Sequence, residues 1–250
     1  MKKDDVFDAI LEGELVPALP REAMGRTLPF VRASAHVSVE DIYRLSQDAE
    51  KPAELILQAA RAGADELAAA LRALDGKPYR GFALLYAAQK AGPLVGVDPR
   101  LAFALSKAIR TEAASLTETN RETRATTPAP RQAVQAEAHL LESQALVMMG
   151  DAAGARDAVT LARPLFAESG DLGFGAALCD YFEGEAANFA RDYERAEQLI
   201  RCARRTFEEF GQDHLLAKAE AAIGTILDNR GDHEESLSYF DRAIAHFDPE

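Results

Sequence analysis

Basic residues are scarce in this 250-residue sequence, which has 28 Lys and Arg against 41 Asp and Glu and a formal net charge of −13. Surfaces that bind phosphate groups depend on clustered Lys and Arg, and this chain has few to cluster. The deficit therefore argues against nucleic acids and anionic membranes as partners. We expect instead another protein or a peptide with an apolar or basic segment.

Long hydrophobic runs are also missing, since no apolar segment approaches the roughly 20 residues of a membrane-spanning helix. The opening residues Met1–Asp5 turn acidic where a signal peptide would begin its hydrophobic stretch. These two absences predict a cytoplasmic protein that does not enter a membrane. The 48% of apolar residues are enough to bury a substantial core.

Cysteine is limited to Cys179 and Cys202. The helical hairpins predicted below place both residues on paired antiparallel helices, at equal distances from the turn. A disulfide between them is therefore one alternative. Helix axes that pack about 8–10 Å apart seldom bring Cα atoms within bridging range. The favoured interpretation is therefore two small core residues in a reducing compartment.

Patterns typical of catalysis and metal binding are missing as well. The segment Gly170–Gly175 follows a predicted helix rather than a strand and lacks the Lys-Ser/Thr ending of a phosphate loop, which favours a turn. No nucleophile and base can be paired, so the sequence predicts no enzyme activity, cofactor or metal site. The histidines show none of the close pairings that zinc sites use; they are His36, His139, His214, His233 and His246.

No segment shows strand-like alternation between turn signals, and the sequence therefore predicts an all-α fold. In the N-terminal region, residues 1–116, Ser38–Asp41 indicates a helix start. The Ala- and Leu-rich stretch Pro52–Leu74 is either one helix or two, and Gly63 in its middle favours two short helices.

Two further helices follow in the same region. One is predicted from about Tyr79 to Ala91, with Gly92 as its C-terminal stop. The other begins at Asp98-Pro99, which supplies an N-cap and a proline at the first helical position, and continues to Leu116. We expect these two to form a degenerate helical hairpin over residues 79–116.

Residues 117–131 carry almost no apolar side chains, many threonines and two prolines. This composition is typical of a linker or a long loop. It separates the N-terminal helical region from residues 132–250, where the sequence repeats itself.

The repetition is visible in the segments 162–166, 203–207 and 243–247, which share a small-residue start and a final Phe. They are spaced 41 and 40 residues apart, and a fixed period of this size marks stacked supersecondary units. A turn divides each unit into two helix-length segments. The turns are Gly150-Asp151, Arg191-Asp192 and Gly231-Asp232. Residues 132–250 are thus predicted to form three helical hairpins.

The second helix of each hairpin repeats small and apolar side chains in steps of four, three and four. These steps keep the side chains on one face, which we expect to be buried and call the interior stripe. Its members are Ala155, Val159, Ala162 and Phe166; Ala196, Ile200, Ala203 and Phe207; and Ser236, Phe240, Ala243 and Phe247.

The hairpins resemble the tetratricopeptide repeat (TPR), whose motif has an L-G pair, an aromatic residue, A-x-x-x-F and a further Ala. The third hairpin matches best, with Ile223-Gly224 at the L-G pair and Phe240 at the motif Phe. The second keeps Gly184, whereas the first has Ser143 where Gly is expected. The family's Trp and closing Pro are missing, and the period exceeds the usual length of about 34 residues. The resemblance is therefore to the long-period bacterial type.

The resemblance implies a short right-handed α-solenoid that acts as a noncatalytic protein- or peptide-binding module, an adaptor or a regulator. In the family, the first helix of each hairpin lines the concave surface. The corresponding positions form the predicted groove: Glu137, Leu140, Gln144, Val147 and Met148; Leu178, Tyr181, Glu185, Asn188 and Phe189; and Lys218, Ala221, Thr225, Asp228 and Asn229.

The predicted groove is apolar and acidic. Family members that clamp a peptide carboxylate have Lys and Asn at places where this chain has Leu140, Gln144, Tyr181 and Glu185, so a carboxylate clamp is not expected. The aromatic rings of Tyr181 and Phe189 have a second interpretation as core residues.

Two other functions stay open. One is a peptide-sensing transcriptional regulator, which would need a basic helix-turn-helix in the N-terminal region. The other is self-assembly. The sequence ends at Glu250, directly after the third hairpin and without a polar capping helix, so either the chain is truncated there or another chain caps the exposed end, as in a homo-oligomer.

Overall fold

The computed structural model describes residues 39–116, 131–169 and 173–247. Within these ranges the chain forms eleven α-helices and no strand, which confirms the all-α prediction. Nearly all of the predicted linker lies outside the described residues. Its last residue, Arg131, already begins a helix.

Five helices lie in the described part of the N-terminal region, residues 39–116, and Gly63 separates the first two, as predicted. The first of them is longer than expected, because it starts at Val39 and continues through Pro52. The helix predicted from about Tyr79 to Ala91 is confirmed and ends at Lys90, but Gly92 begins a short additional helix that was not predicted. The five are α1 Val39–Ala62, α2 Ala64–Arg72, α3 Arg80–Lys90, α4 Gly92–Val97 and α5 Pro99–Ala114.

Six helices follow, and they pack as three consecutive antiparallel pairs, which confirms the predicted hairpins. The second helix of each hairpin also packs against the first helix of the next, and α5 packs against α6 in the same manner. The six are α6 Arg131–Met148, α7 Ala152–Glu168, α8 Phe174–Phe189, α9 Tyr193–Glu209, α10 Asp213–Arg230 and α11 His233–Phe247.

The three predicted turns share one backbone feature. Gly150, Arg191 and Gly231 all have a positive φ, of 87°, 64° and 99°. After the first two turns an aspartate caps the next helix: Asp151 accepts a hydrogen bond from the backbone N–H of Gly154, and Asp192 caps α9 in the same way. A left-handed residue followed by Asp thus ends one helix and starts the next within a few residues.

The interior stripe is buried in α7 and α9, where its eight side chains are at most 6% exposed. In α11, Ser236 and Ala243 are buried but Phe240 is only half-buried. The side chain of Phe247 is not among those described. The prediction is therefore confirmed for the first two hairpins and holds in part for the third.

The interpretation of both cysteines as core residues is wrong for Cys202. Cys179 is buried, whereas Cys202 is exposed, and both are free thiols. Cys202 directly precedes Ala203 of the interior stripe, and one step along a helix turns a side chain about 100° away from its neighbour. The residue therefore faces outward from the packed side of α9.

The hairpins close tightly because glycine stands where two helices cross. A Cβ added to Gly184 would lie 2.5 Å from Cγ1 of Ile200, and one added to Gly224 would lie 2.9 Å from Cε1 of Phe240. In the first hairpin Ser143 occupies this position and is fully buried. These glycines let the first and second helices of a hairpin approach more closely than any larger residue allows.

The apolar core consists of two clusters that meet at α6. Val134 and Leu141 of α6 pack into the cluster formed with α1–α5, whereas Ala136 and Leu140 pack into the cluster formed with α7–α11. Four of the five buried residues of α5 follow the same steps of four, three and four as the interior stripe. They are Ala102, Ser106, Ile109 and Ala113, all without exposed surface, and Leu105 is the fifth.

We predict that Gly184→Ala destabilises the protein by about 1–3 kcal/mol, because the new methyl group overlaps Ile200 and forces the two helices apart. Urea unfolding followed by circular dichroism measures the change. The control is Gly96→Ala in α4, where a Cβ meets no atom within 4 Å. This variant should gain about 0.5–1 kcal/mol from lower backbone entropy. Equal effects at the two sites would contradict the close approach at Gly184.

Candidate functional site

A cavity of about 400 Å³ lies between the first helices of the three hairpins and α3. We call it the central cavity. None of the described residues of α7, α9 or α11 lines it. Its walls are Ala88, Gln89 and Gly92 from α3 and the start of α4; Glu137 and Gln144 from α6; Leu178, Tyr181, Phe182 and Glu185 from α8; and Leu215, Lys218, Ala221, Ala222 and Thr225 from α10.

The structure brings a large part of the predicted groove together in this cavity. The positions came from three separate hairpins, and α6, α8 and α10 place them around one volume. The groove residues that line the central cavity are Glu137, Gln144, Leu178, Tyr181, Glu185, Lys218, Ala221 and Thr225.

A second, smaller recess adjoins the central cavity. This side cleft has a volume of about 170 Å³ and shares Glu185, Ala222 and Thr225 with it. Three more groove residues line the side cleft, namely Val147, Asn188 and Phe189, together with Ile200. The ring of Phe189 is 52% exposed, so its interpretation as a core residue does not hold.

The remaining groove residues lie elsewhere. Leu140 is 1% exposed and belongs to the core, so it cannot contact a partner in this structure. Met148 is exposed but lines neither recess. Asp228 contacts His233 at 2.7 Å, and Asn229 donates a hydrogen bond to Asn188 at 3.2 Å.

Sequence reasoning missed one wall of the central cavity. Ala88, Gln89 and Gly92 come from the region before the three clear hairpins. The predicted degenerate hairpin over residues 79–116 is the feature of the sequence that could have indicated these three residues. A first helix over 79–91 would place its last turn beside the first helix of the next hairpin, which is where α3 lies against α6.

Two carboxylates face the central cavity, and a neutral donor orients each of them. The side-chain amide of Gln89 donates to Oε1 of Glu137 at 2.9 Å. The hydroxyl of Tyr181 donates to Oε1 of Glu185 at 3.0 Å. Both carboxylates are partly buried, whereas the third charged residue of the wall, Lys218, is exposed to solvent.

Tyr181 has a structural role as well as a polar one. Its side chain is 6% exposed and its ring packs against Phe182 and Phe207, with centroids 5.1 and 6.2 Å away. The interpretation of this ring as core therefore fits the structure. Its hydroxyl end meets the cavity and positions Glu185.

Burial raises the pKa of the Glu185 carboxyl above its usual value, against the opposing effects of the Tyr181 hydrogen bond and the Lys218 charge. Burial, followed by the neighbouring carboxylate of Glu185, also raises the pKa of Tyr181 well above its usual value. The ionised form of Glu185 is therefore held at an energetic cost. Such groups concentrate at functional sites, although structural ion pairs produce them too.

The histidines and the segment Gly170–Gly175 were the other features considered for catalysis or metal binding. His139 is buried on α6, where its Nδ1 lies 3.1 Å from Arg110 and 3.2 Å from Glu142. Among the described residues no three His, Cys, Asp or Glu side chains are grouped so as to hold a metal ion. Within Gly170–Gly175 the first three residues lie outside the described ranges, and Gly173 has a left-handed φ of 102° directly before α8.

None of the helices in the described parts of the chain combines the length and apolar character that crossing a membrane requires. Comparison of the chain with known protein families, curated proteins and solved structures found no match. The geometry of the two recesses is therefore the main indication of a function.

We predict that Glu185→Gln raises the melting temperature at neutral pH, because glutamine keeps the size of the side chain and removes the buried charge. A carboxyl whose pKa is raised in the folded state binds its proton more tightly there than in the unfolded chain. The wild-type protein therefore loses stability as the pH rises through that pKa. The gain in Glu185→Gln should shrink as the pH falls from 8 to about 5, as calorimetry can measure.

The matched control is Glu194→Gln, which removes the same charge from an exposed position in the first turn of α9. It should change the melting temperature little at any pH in this range. A lower melting temperature for Glu185→Gln at pH 7 would contradict the prediction. It would mean that the Lys218 and Tyr181 interactions outweigh the cost of burial.

Proposed function

We propose that this protein is a noncatalytic, cytoplasmic binding module of the TPR type. In this proposal its hairpins stack as a short right-handed α-solenoid and it acts as an adaptor or regulator. The face formed by the first helices binds a protein or peptide segment. One observation carries the proposal: α3, α6, α8 and α10 all contribute walls to a single cavity, while the described residues of the second helices contribute none.

The size and lining of the cavity favour a peptide segment as its occupant. A volume of about 400 Å³ falls within the usual range of small-ligand sites and accommodates a few side chains rather than a folded domain. Apolar walls from Leu178, Phe182 and Leu215 stand beside acidic ones. A segment that carries both apolar and basic side chains matches this lining.

Selection from a random-peptide display library tests the proposal, with the folded wild-type protein as bait. Enriched peptides should bind in fluorescence anisotropy. Ala221→Arg should weaken binding at least tenfold, because the long side chain enters the central cavity. The control is Ala167→Arg, which adds the same side chain at an exposed position on α7 and should leave binding unchanged.

Circular dichroism must first show that both variants are folded. Two results would overturn the proposal. One is the failure of the library to yield any binding peptide, and the other is equal binding by wild type and Ala221→Arg. Peptides that bind elsewhere on the surface would give the second result.

Self-assembly is a second candidate, and exposed apolar residues on α11 favour it. Leu237 and Ile244 are 64% and 62% exposed and stand seven residues apart, so they share one face of the helix. Two copies can pair these faces symmetrically. Sedimentation velocity should then show a dimer that the double variant Leu237→Lys, Ile244→Lys converts to monomer. A wild-type monomer at high concentration would contradict this function.

A further inference from the structure

The described residues that line the central cavity carry an excess of one formal negative charge. They include Glu137 from α6 and Glu185 from α8, and one positive group, Lys218 from α10. The hydrogen bonds from Gln89 and Tyr181 come from neutral donors and orient the two carboxylates. The recess is thus a preformed, negatively charged site on the face proposed to bind a partner.

Burial makes the attraction of a cation to the two carboxylates stronger than its repulsion by the lysine. Glu137 and Glu185 are partly buried, where water screens a charge less, while Lys218 is exposed and its field is screened by solvent. A positive group that enters the cavity therefore meets a net attraction. A negative group is attracted by Lys218 alone and has to approach two carboxylates.

The walls also fit the apolar part of a long basic side chain. Leu178, Phe182 and Leu215 offer apolar surface on which the methylene stem of Lys or Arg can lie while its charged end reaches a carboxylate. The ring of Phe182 offers a further contact for a cation.

The side cleft differs in chemistry. Val147, Phe189 and Ile200 give it a mostly apolar lining, and it joins the central cavity at Glu185, Ala222 and Thr225. A residue of the same bound segment that follows or precedes the basic one can place an apolar side chain there.

We propose that the central cavity binds a lysine or arginine side chain of the partner segment between Glu137 and Glu185, and that the side cleft binds a neighbouring large apolar side chain. This inference rests on the proposed function and assigns the chemistry that the site recognises. The opposite assignment, an acidic side chain or carboxylate terminus bound at Lys218, is the rival that an experiment must distinguish.

The test uses two display libraries of random peptides that differ at one fixed central residue, which is Arg in the first library and Glu in the second. Selection against the wild-type protein should enrich binders from the Arg library, with large apolar residues near the fixed position. Enrichment from the Glu library alone would overturn the inference.

The enriched peptides then serve as probes for three variants. Glu185→Gln should weaken binding about tenfold, the usual order of effect when a charge-assisted contact loses its charge. Lys218→Met should tighten binding, because it removes a repelling charge from the cavity wall. Glu194→Gln, the exposed control on α9, should stay within about twofold of wild type. An acidic occupant would reverse the effects of the first two variants.

Replacing the central Arg of a probe by Gln should cost affinity for wild type but little further affinity for Glu185→Gln, because both changes remove the same interaction. Independent effects would overturn the inference. If peptides lose affinity for Ala221→Arg but bind all the charge variants as they bind wild type, only this assignment is overturned and the proposed function stands. If they bind Ala221→Arg as tightly as wild type, the proposed function is overturned as well.

Discussion

The structure depends on the burial of the interior stripe, which no hairpin achieves alone. Alanine recurs along the stripe, as at Ala155 and Ala196, because small side chains let helices approach closely, and glycine at Gly184 and Gly224 brings the paired helices closer still. Each second helix then packs against the first helix of the next hairpin. The stabilisation from dispersion and apolar burial is thus distributed over successive helix interfaces, and each hairpin depends on its neighbours for stability.

The same packing leaves one face of the first helices available to line the central cavity. The second helices of the first two hairpins bury their stripes. Charged residues at the junctions between hairpins form ion pairs: Arg163 contacts Asp180 at 2.8 Å, and Arg204 contacts the fully buried Glu220. The first helices and α3 enclose the central cavity on another side. A partly buried carboxylate in that cavity costs folding free energy, and its interaction with a cationic side chain would offset the cost on binding.

Local signals in the sequence predicted the helices well and their surroundings less well. Turns such as Arg191-Asp192 depend on a few adjacent residues, so their positions were correct. The short helix that begins at Gly92 has no such signal, because a glycine directly after a helix usually marks its end. The interpretation of Cys202 as core depends on its small size and its paired helix, and that of Phe240 on the repeat period, but the exposure of a side chain also depends on which neighbouring helix covers it.

Periodicity, caps and turn residues act over a few positions, so the amino-acid pattern was enough to predict the all-α class, the three hairpins and the buried stripe of the first two. The site, in contrast, depends on tertiary packing. Gln89 meets Glu137 across 48 residues of chain, and Leu140 lies in the core although its position matched the groove. Such contacts depend on how successive helix pairs dock, which is a property of packed surfaces rather than of any local segment.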